Sequence, residues 1–154
     1  MKHLHIYLLL AAAMFTSCGC KHCNIAKNAE EKDICQTAYS YIIATGNYKI
    51  DEAVPYASKD TREVTLPFIK DNILPHVDST FLAKSVPATA TIDTILLMDD
   101  TAYVGYTKTT PLGATQGTLT LVKEDGKWLA YVPLMLPNRI AIPVPQDNNT
   151  GDAQ

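Results

Sequence analysis

Apolar positions change their spacing three times along this chain. Ile6 to Phe15 is a continuous apolar run behind Lys2, His3 and His5, and residues 19–28 are largely polar. From Ala29 the spacing becomes helical. Ile34, Ala38, Tyr41, Ile42 and Thr45 fall at i, i+4, i+7, i+8 and i+11, one face of a helix. Glu30, Glu31 and Asp33 lie in its first turn, where the helix dipole favours negative charge, and Gly46-Asn47 supplies a left-handed stop. A short second helix is predicted from Tyr48 to Val54, with Ile50, Ala53 and Val54 inward and Pro55 limiting it. Ser58 caps a third helical stretch that turns Val64, Phe68, Ile69, Ile73 and Leu74 inward and that Pro67 kinks or divides.

Beyond Pro87 the period falls to two. Ala88 to Met98 reads as a strand, Asp99-Asp100 as a turn, and Ala102 to Thr110 as the returning strand. Pro111-Leu112-Gly113 forms a loop. Gly117 to Lys123 and Lys127 to Leu134 flank Glu124-Asp125-Gly126, and Asp-Gly between such runs is a strong hairpin signal. Helical pieces followed by a four-strand antiparallel meander make an α+β layout. The strands carry apolar residues on both faces: Leu119 and Leu121 oppose Val122, and Trp128 and Val132 oppose Leu129 and Tyr131. The helices cover one face. The other predicts a second cover, either a neighbouring subunit or the tail. Residues 137–154 hold three prolines and end in a polar run, so they are expected to fray.

The early apolar run is shorter than the ~20 residues that a bilayer-spanning helix needs, and matches a signal-peptide core. Phe15-Thr16-Ser17-Cys18 resembles the bacterial lipobox, with Phe15 in the place where Leu is usual. The resemblance implies removal of residues 1–17 and a lipid on Cys18, with residues 18–28 as a tether and residues 29–136 as the folded domain. A plain secretory cut near Ala11-Ala12-Ala13 is the alternative. Two or more acyl chains on Cys18 give lasting attachment to a membrane, where one chain gives little. Gly19, in the place of a retention aspartate, directs the expectation to the outer membrane of a bacterial cell envelope, facing the periplasm.

Removing residues 1–17 takes away Lys2 and moves the formal charge from −3 to −4. That mild acidity argues against a nucleic-acid partner, which demands a basic face. With Cys18 lipidated, Cys20, Cys23 and Cys35 remain. Cys20-Lys21-His22-Cys23 has the C-x-x-C spacing of zinc and redox sites, so Cys20, His22, Cys23 and Cys35 are the candidate metal ligands. The competing readings are free thiols, or a disulfide from Cys35 to either Cys20 or Cys23, as an oxidising compartment favours.

The run Tyr39–Tyr41, Gly46-Asn47-Tyr48-Lys49, Ala53 and Tyr56-Ala57-Ser58 resembles the first helix junction of nuclear transport factor 2-like (NTF2-like) domains. Asp125-Gly126-Lys127-Trp128 is similar to their closing hairpin. The resemblance covers about residues 29–134 and implies helices on a curved antiparallel sheet with a cavity between them. Some relatives are enzymes that place a carboxylate and a tyrosine or histidine in that cavity. Asp93, His76 and Asp78 are the corresponding acids and bases here, with Tyr41, Tyr103 and Tyr106 as donors. Asp93 is set apart by interrupting the apolar strand Ile92-Asp93-Thr94-Ile95, although a lone strand carboxylate more often faces solvent. A non-catalytic module is favoured over an isomerase- or hydrolase-like enzyme. It would take a small apolar ligand or a peptide in the cavity, or pair with a second copy through the sheet. No cofactor is expected: the chain has no phosphate-cradling glycine loop, no G-x-S-x-G and no H-E-x-x-H.

Overall fold

Helix α1, Ala29–Gly46, is the axle of the structure. Asn28 accepts from the Glu31 N–H at 2.8 Å, while the Glu31 carboxylate takes the Lys27 N–H at 2.7 Å, so the first turn is capped from both directions. The computed structural model describes residues 23–134. The expected signal segment, Cys18, Cys20, His22 and the tail from residue 137 therefore lie outside the described residues. Residues 23–28, read above as tether, are part of the fold. Cys23 is disulfide-bonded to Cys35, and the Ala26 N–H donates to the Cys23 carbonyl at 3.2 Å.

The predicted stripe of α1 is the one that packs: Ile34, Ala38, Tyr41 and Ile42 are buried. The expected stop differs in detail. Asn47 has φ −100°, and it is Tyr48 that enters the left-handed region, at φ 60°. Asn47 is used through its side chain instead. Its amide donates to the carbonyls of Ile43 at 2.8 Å and Ala88 at 3.2 Å and accepts from the Ala88 N–H at 2.9 Å, tying the end of α1 to the start of the sheet. The Tyr48 hydroxyl meets Ser85 Oγ at 2.7 Å.

Helix α2, Ile50–Ala53, runs into a 3-10 turn, Val54–Tyr56. The third helical stretch departs from the expected register. Pro67 sits in a short α piece, α3 (Leu66–Phe68), between two π segments, Thr61–Thr65 and Ile69–Ile73. Proline has no N–H to donate, and its ring crowds the preceding turn; the widened turns relieve both. Leu66 N–H reaches the Thr61 carbonyl, and Leu74 N–H reaches the Ile69 carbonyl, each five residues back. Widening also rotates the helix face. Val64 and Ile73, expected inward, are exposed, whereas Thr61, Thr65 and Leu66 are buried. A fourth helix, α4 (Ser79–Lys84), was not anticipated. Asp78 caps it, accepting from the Phe81 N–H at 2.8 Å.

The sheet is a four-strand antiparallel meander in the order β1-β2-β3-β4, so the fold class is α+β. The strands are β1, Thr89–Met98; β2, Thr101–Thr110; β3, Gly113–Glu124; and β4, Lys127–Tyr131. Strand β3 starts earlier than predicted, because Gly113, at φ 134°, pairs directly with Thr110. Asp125 and Gly126 take φ 49° and 76°, the paired left-handed geometry whose twist suits a two-residue hairpin. Strand β4 stops at Tyr131 rather than Leu134, because the third helical stretch captures the backbone beyond it. Thr61 Oγ1 accepts from the Val132 N–H at 2.8 Å, and Thr65 Oγ1 donates to the Val132 carbonyl at 2.6 Å. The Ser58 N–H adds a bond to the Ala130 carbonyl at 2.9 Å, so the free edge of β4 is covered.

The core lies between α1 and the inner face of the sheet. Ala90, Ile92, Ala102, Val104, Leu119, Leu121, Trp128 and Ala130 all face it and are buried.

Candidate functional site

Pairing register assigns every strand residue to a face, because directly opposed residues point the same way. Tyr106 opposes Ile92 and Gly117, which places it on the inner face with the core. Gly117 is required there. A Cβ at that position would stand 2.7 Å from the Tyr106 ring carbon Cζ and its hydroxyl, so the ring lies against β3 where only glycine leaves room. Tyr41 reaches the same region from α1. Burial, and secondarily the neighbouring Tyr106, pushes its phenol up to about 12. Burial alone raises Tyr106. Both phenols therefore remain neutral hydrogen-bonding groups across the physiological range.

Asp93 occupies a β-bulge. The pairing of β1 with β2 shifts between Ile92 and Thr94, leaving Asp93 as the extra residue. Its side chain is exposed, and Oδ2 accepts from Thr107 Oγ1 at 2.7 Å. A hollow of about 350 Å³ is lined by Asp93, Gly105, Tyr106, Gln116, Gly117 and Thr118, but Asp93 shares the outer face with Thr107 whereas the Tyr106 ring lies on the inner face. Of the candidate catalytic residues only Tyr41 and Tyr106 share one region, and the Asp93 carboxylate lies across the sheet from them. What the structure does not supply at Asp93 is the burial that strengthens a carboxylate as a base. His76 is exposed at the end of a 3-10 turn, Leu74–His76, and does not line that hollow. Asp78 is occupied as the α4 cap.

The metal reading meets a correction at two of its four residues. Cys23 and Cys35 are bonded to each other, with Cα atoms 5.8 Å apart, so neither presents a thiolate. Among the described residues no three His, Cys, Asp or Glu side chains gather around a common point. No helix among them is long and apolar enough to cross a membrane.

The outer sheet face carries the feature that the strand pattern had only partly revealed. Leu96 opposes Tyr103, which opposes Thr120 and then Tyr131; Met98, Thr101, Val122 and Leu129 form the adjoining row. Leu96, Met98 and Tyr103 are 58%, 57% and 40% exposed, so this is a continuous apolar surface in water. Toward the end of the sheet away from the Asp125-Gly126 turn the outer face is largely threonine, Thr89 opposing Thr109 and Thr91 opposing Thr107, and on the hairpin side Glu124 and Lys127 border the patch. Val122, Leu129 and Tyr131 were marked by their alternation. Leu96, Met98 and Tyr103 needed the pairing register, which the bulge at Asp93 resets.

At the hairpin end, Glu30 pairs with Lys123 at 2.8 Å, and Lys123 Nζ lies 5.3 Å from the centre of the Trp128 ring. Lys123 holds the Glu30 carboxyl below the usual carboxylate range, with a smaller pull from the Trp128 N–H. The Trp128 Nε1 is buried and closes no hydrogen bond of good geometry. These three side chains lock the start of α1 onto the β3–β4 hairpin.

The arrangement, helices first and then an antiparallel meander, is that of an α+β domain. Among solved structures it is similar to an NTF2-like protein of unknown function from Shewanella baltica OS155. The two are 16% identical, with a TM-score of 0.47, over 66% of this chain and 87% of that one. No family model matches the chain, and no curated protein matches it.

Proposed function

We propose that this is a lipid-anchored protein of the bacterial cell envelope whose NTF2-like domain is a non-catalytic module that pairs with a second copy of itself through the outer sheet face. The observation that carries the pairing is the exposed cluster of Leu96, Met98 and Tyr103 beside Val122, Leu129 and Tyr131. An apolar face bordered by threonines, with its charges confined to Asp93 and the Glu124–Lys127 pair at its margins, suits an isologous contact in which each copy offers the same patch. The NTF2-like assignment is supported by Gly46-Asn47-Tyr48-Lys49, Asp125-Gly126-Lys127-Trp128 and the helices-first order. Phe15-Thr16-Ser17-Cys18 supports the anchor and its place at the outer membrane.

Sedimentation velocity of the chain from Cys18 onward, made without lipid, tests the pairing. A monomer–dimer equilibrium that shifts with concentration is expected. A single monomer species across the accessible range removes the self-assembly reading. The patch would then be examined with apolar peptides and small ligands as occupants.

A further inference from the structure

Cys35 lies in the second turn of α1 and is fully buried, so its bond to Cys23 fastens the entering chain to the rigid core. Residues 24–28 are held as well, through the Ala26-to-Cys23 and Lys27-to-Glu31 bonds and the Asn28 cap. Among the described residues Cys23 is therefore the fixed point nearest Cys18. Five residue steps separate the two, a reach of at most ~18 Å at ~3.3–3.6 Å per residue. Without the disulfide the first strongly held position becomes the Asn28 cap, ten steps away, and the reach rises to ~36 Å.

The attachment is also at one end of the molecule. Near it are the start of α1, the Glu30–Lys123–Trp128 lock and the β3–β4 turn at Asp125-Gly126. The β1–β2 turn lies at the same end, since the Lys123 N–H donates to the Asp100 carbonyl at 2.9 Å. The far end of α1 is ~27 Å away at 1.5 Å rise per residue. A Cβ on Gly46 there would touch Ala88 and Lys108, which places the Pro111-Leu112 turn between β2 and β3 at that distal end.

We propose that the Cys23–Cys35 disulfide is a leash stop: it holds the Asp99-Asp100 and Asp125-Gly126 turns toward the bilayer surface and directs the Pro111-Leu112 end away from it. The proposal rests on lipid attachment at Cys18. The lipid-facing turns carry Asp99, Asp100, Glu124 and Asp125 beside Lys123 and Lys127 and form no polybasic cluster, so short leash length rather than adhesion sets the distance.

The test uses the full-length lipidated protein in phosphatidylethanolamine–phosphatidylglycerol vesicles with a short-range energy acceptor on the headgroups. A donor is introduced by non-natural amino acid at position 125 or at position 112. The expected result is strong transfer from 125 and weak transfer from 112. In Cys35→Ala the transfer from 125 falls about twofold or more as the reach doubles, and the two positions converge. A second variant keeps the disulfide and the fold but carries ten Gly/Ser residues inserted between Cys18 and Cys20, and it should reproduce the convergence. Mass spectrometry of the same samples reads the acyl group on Cys18. Equal transfer from 125 and 112, or no change in either variant, with Cys18 acylated, overturns the leash while leaving the anchor intact. An unmodified Cys18 overturns the anchor reading and the leash with it.

Discussion

Tyr41 and Gly117 carry much of what single residues decide here. The Tyr41 phenol is pushed from its ordinary 10 to about 12 by burial first and Tyr106 second. Because the fold favours the neutral form, the unfolded chain loses this proton first as pH rises. The stabilisation is complete below pH ~10 and drains away as pH climbs toward 12, by roughly 2–3 kcal/mol in all. Tyr41→Phe keeps the ring and removes the titration. Its urea midpoint should stay near that of the parent at pH 7 and fall less steeply between pH 10 and 12; parallel curves would show that Tyr41 does not carry the alkaline loss. Gly117→Ala is expected to cost about 1–3 kcal/mol, because its methyl group would occupy the space of the Tyr106 ring. In a Tyr106→Ala background the same change should cost much less. A double-mutant cycle by urea unfolding checks this, and additive costs would place the strain elsewhere.

At the scale of elements, the third helical stretch and β4 form one unit. Ser58 Oγ donates to Thr61 Oγ1 at 2.9 Å, Thr61 takes the Val132 N–H, and Thr65 returns a bond to the Val132 carbonyl. Thr61 is fully buried, and Thr61→Val preserves its shape while leaving the Val132 N–H without an acceptor. A loss of about 1–3 kcal/mol is expected, with faster hydrogen exchange at Val132 than at the Tyr131 and Ala130 amides. Unchanged exchange at Val132 would mean that water replaces the hydroxyl. The same unit shows where reading by period stops. Ser58 as a cap and Pro67 as a disruption are visible in local chemistry. How proline is absorbed is not: kinking, breaking and widening into π turns are all open to Leu66-Pro67-Phe68. Widening selected Thr61 and Thr65 for burial in place of Val64 because their hydroxyls could satisfy the β4 backbone.

Among the described residues the outer sheet face exposes a contiguous apolar surface, and the proposed pairing through it makes a position-specific prediction. Tyr103→Lys places a charge inside the Leu96–Met98–Val122 patch and should weaken dimerisation by tenfold or more, about 1.4 kcal/mol or above. Leu112→Lys alters an equally exposed leucine, 54% accessible, on the distal turn and should leave the equilibrium unchanged. Sedimentation equilibrium of both variants separates a specific face from general stickiness: equal weakening would exclude the sheet face as the contact. The helices-before-strands order, the α1 stripe, the two Asp-containing hairpin turns and the four-strand meander were legible in the chain, whereas α4 was not. They depend on periodicity and turn chemistry, which are properties of neighbouring residues. The Cys23–Cys35 partnership, the separation of Asp93 from Tyr106 onto opposite sheet faces, the capture of Val132 and the outer apolar row depend on residues brought together from distant parts of the sequence. A single bulge at Asp93 resets the register of β1 and determines which side chains face water. Local pattern determined what this chain folds into; long-range pairing decided which of its surfaces are left to act.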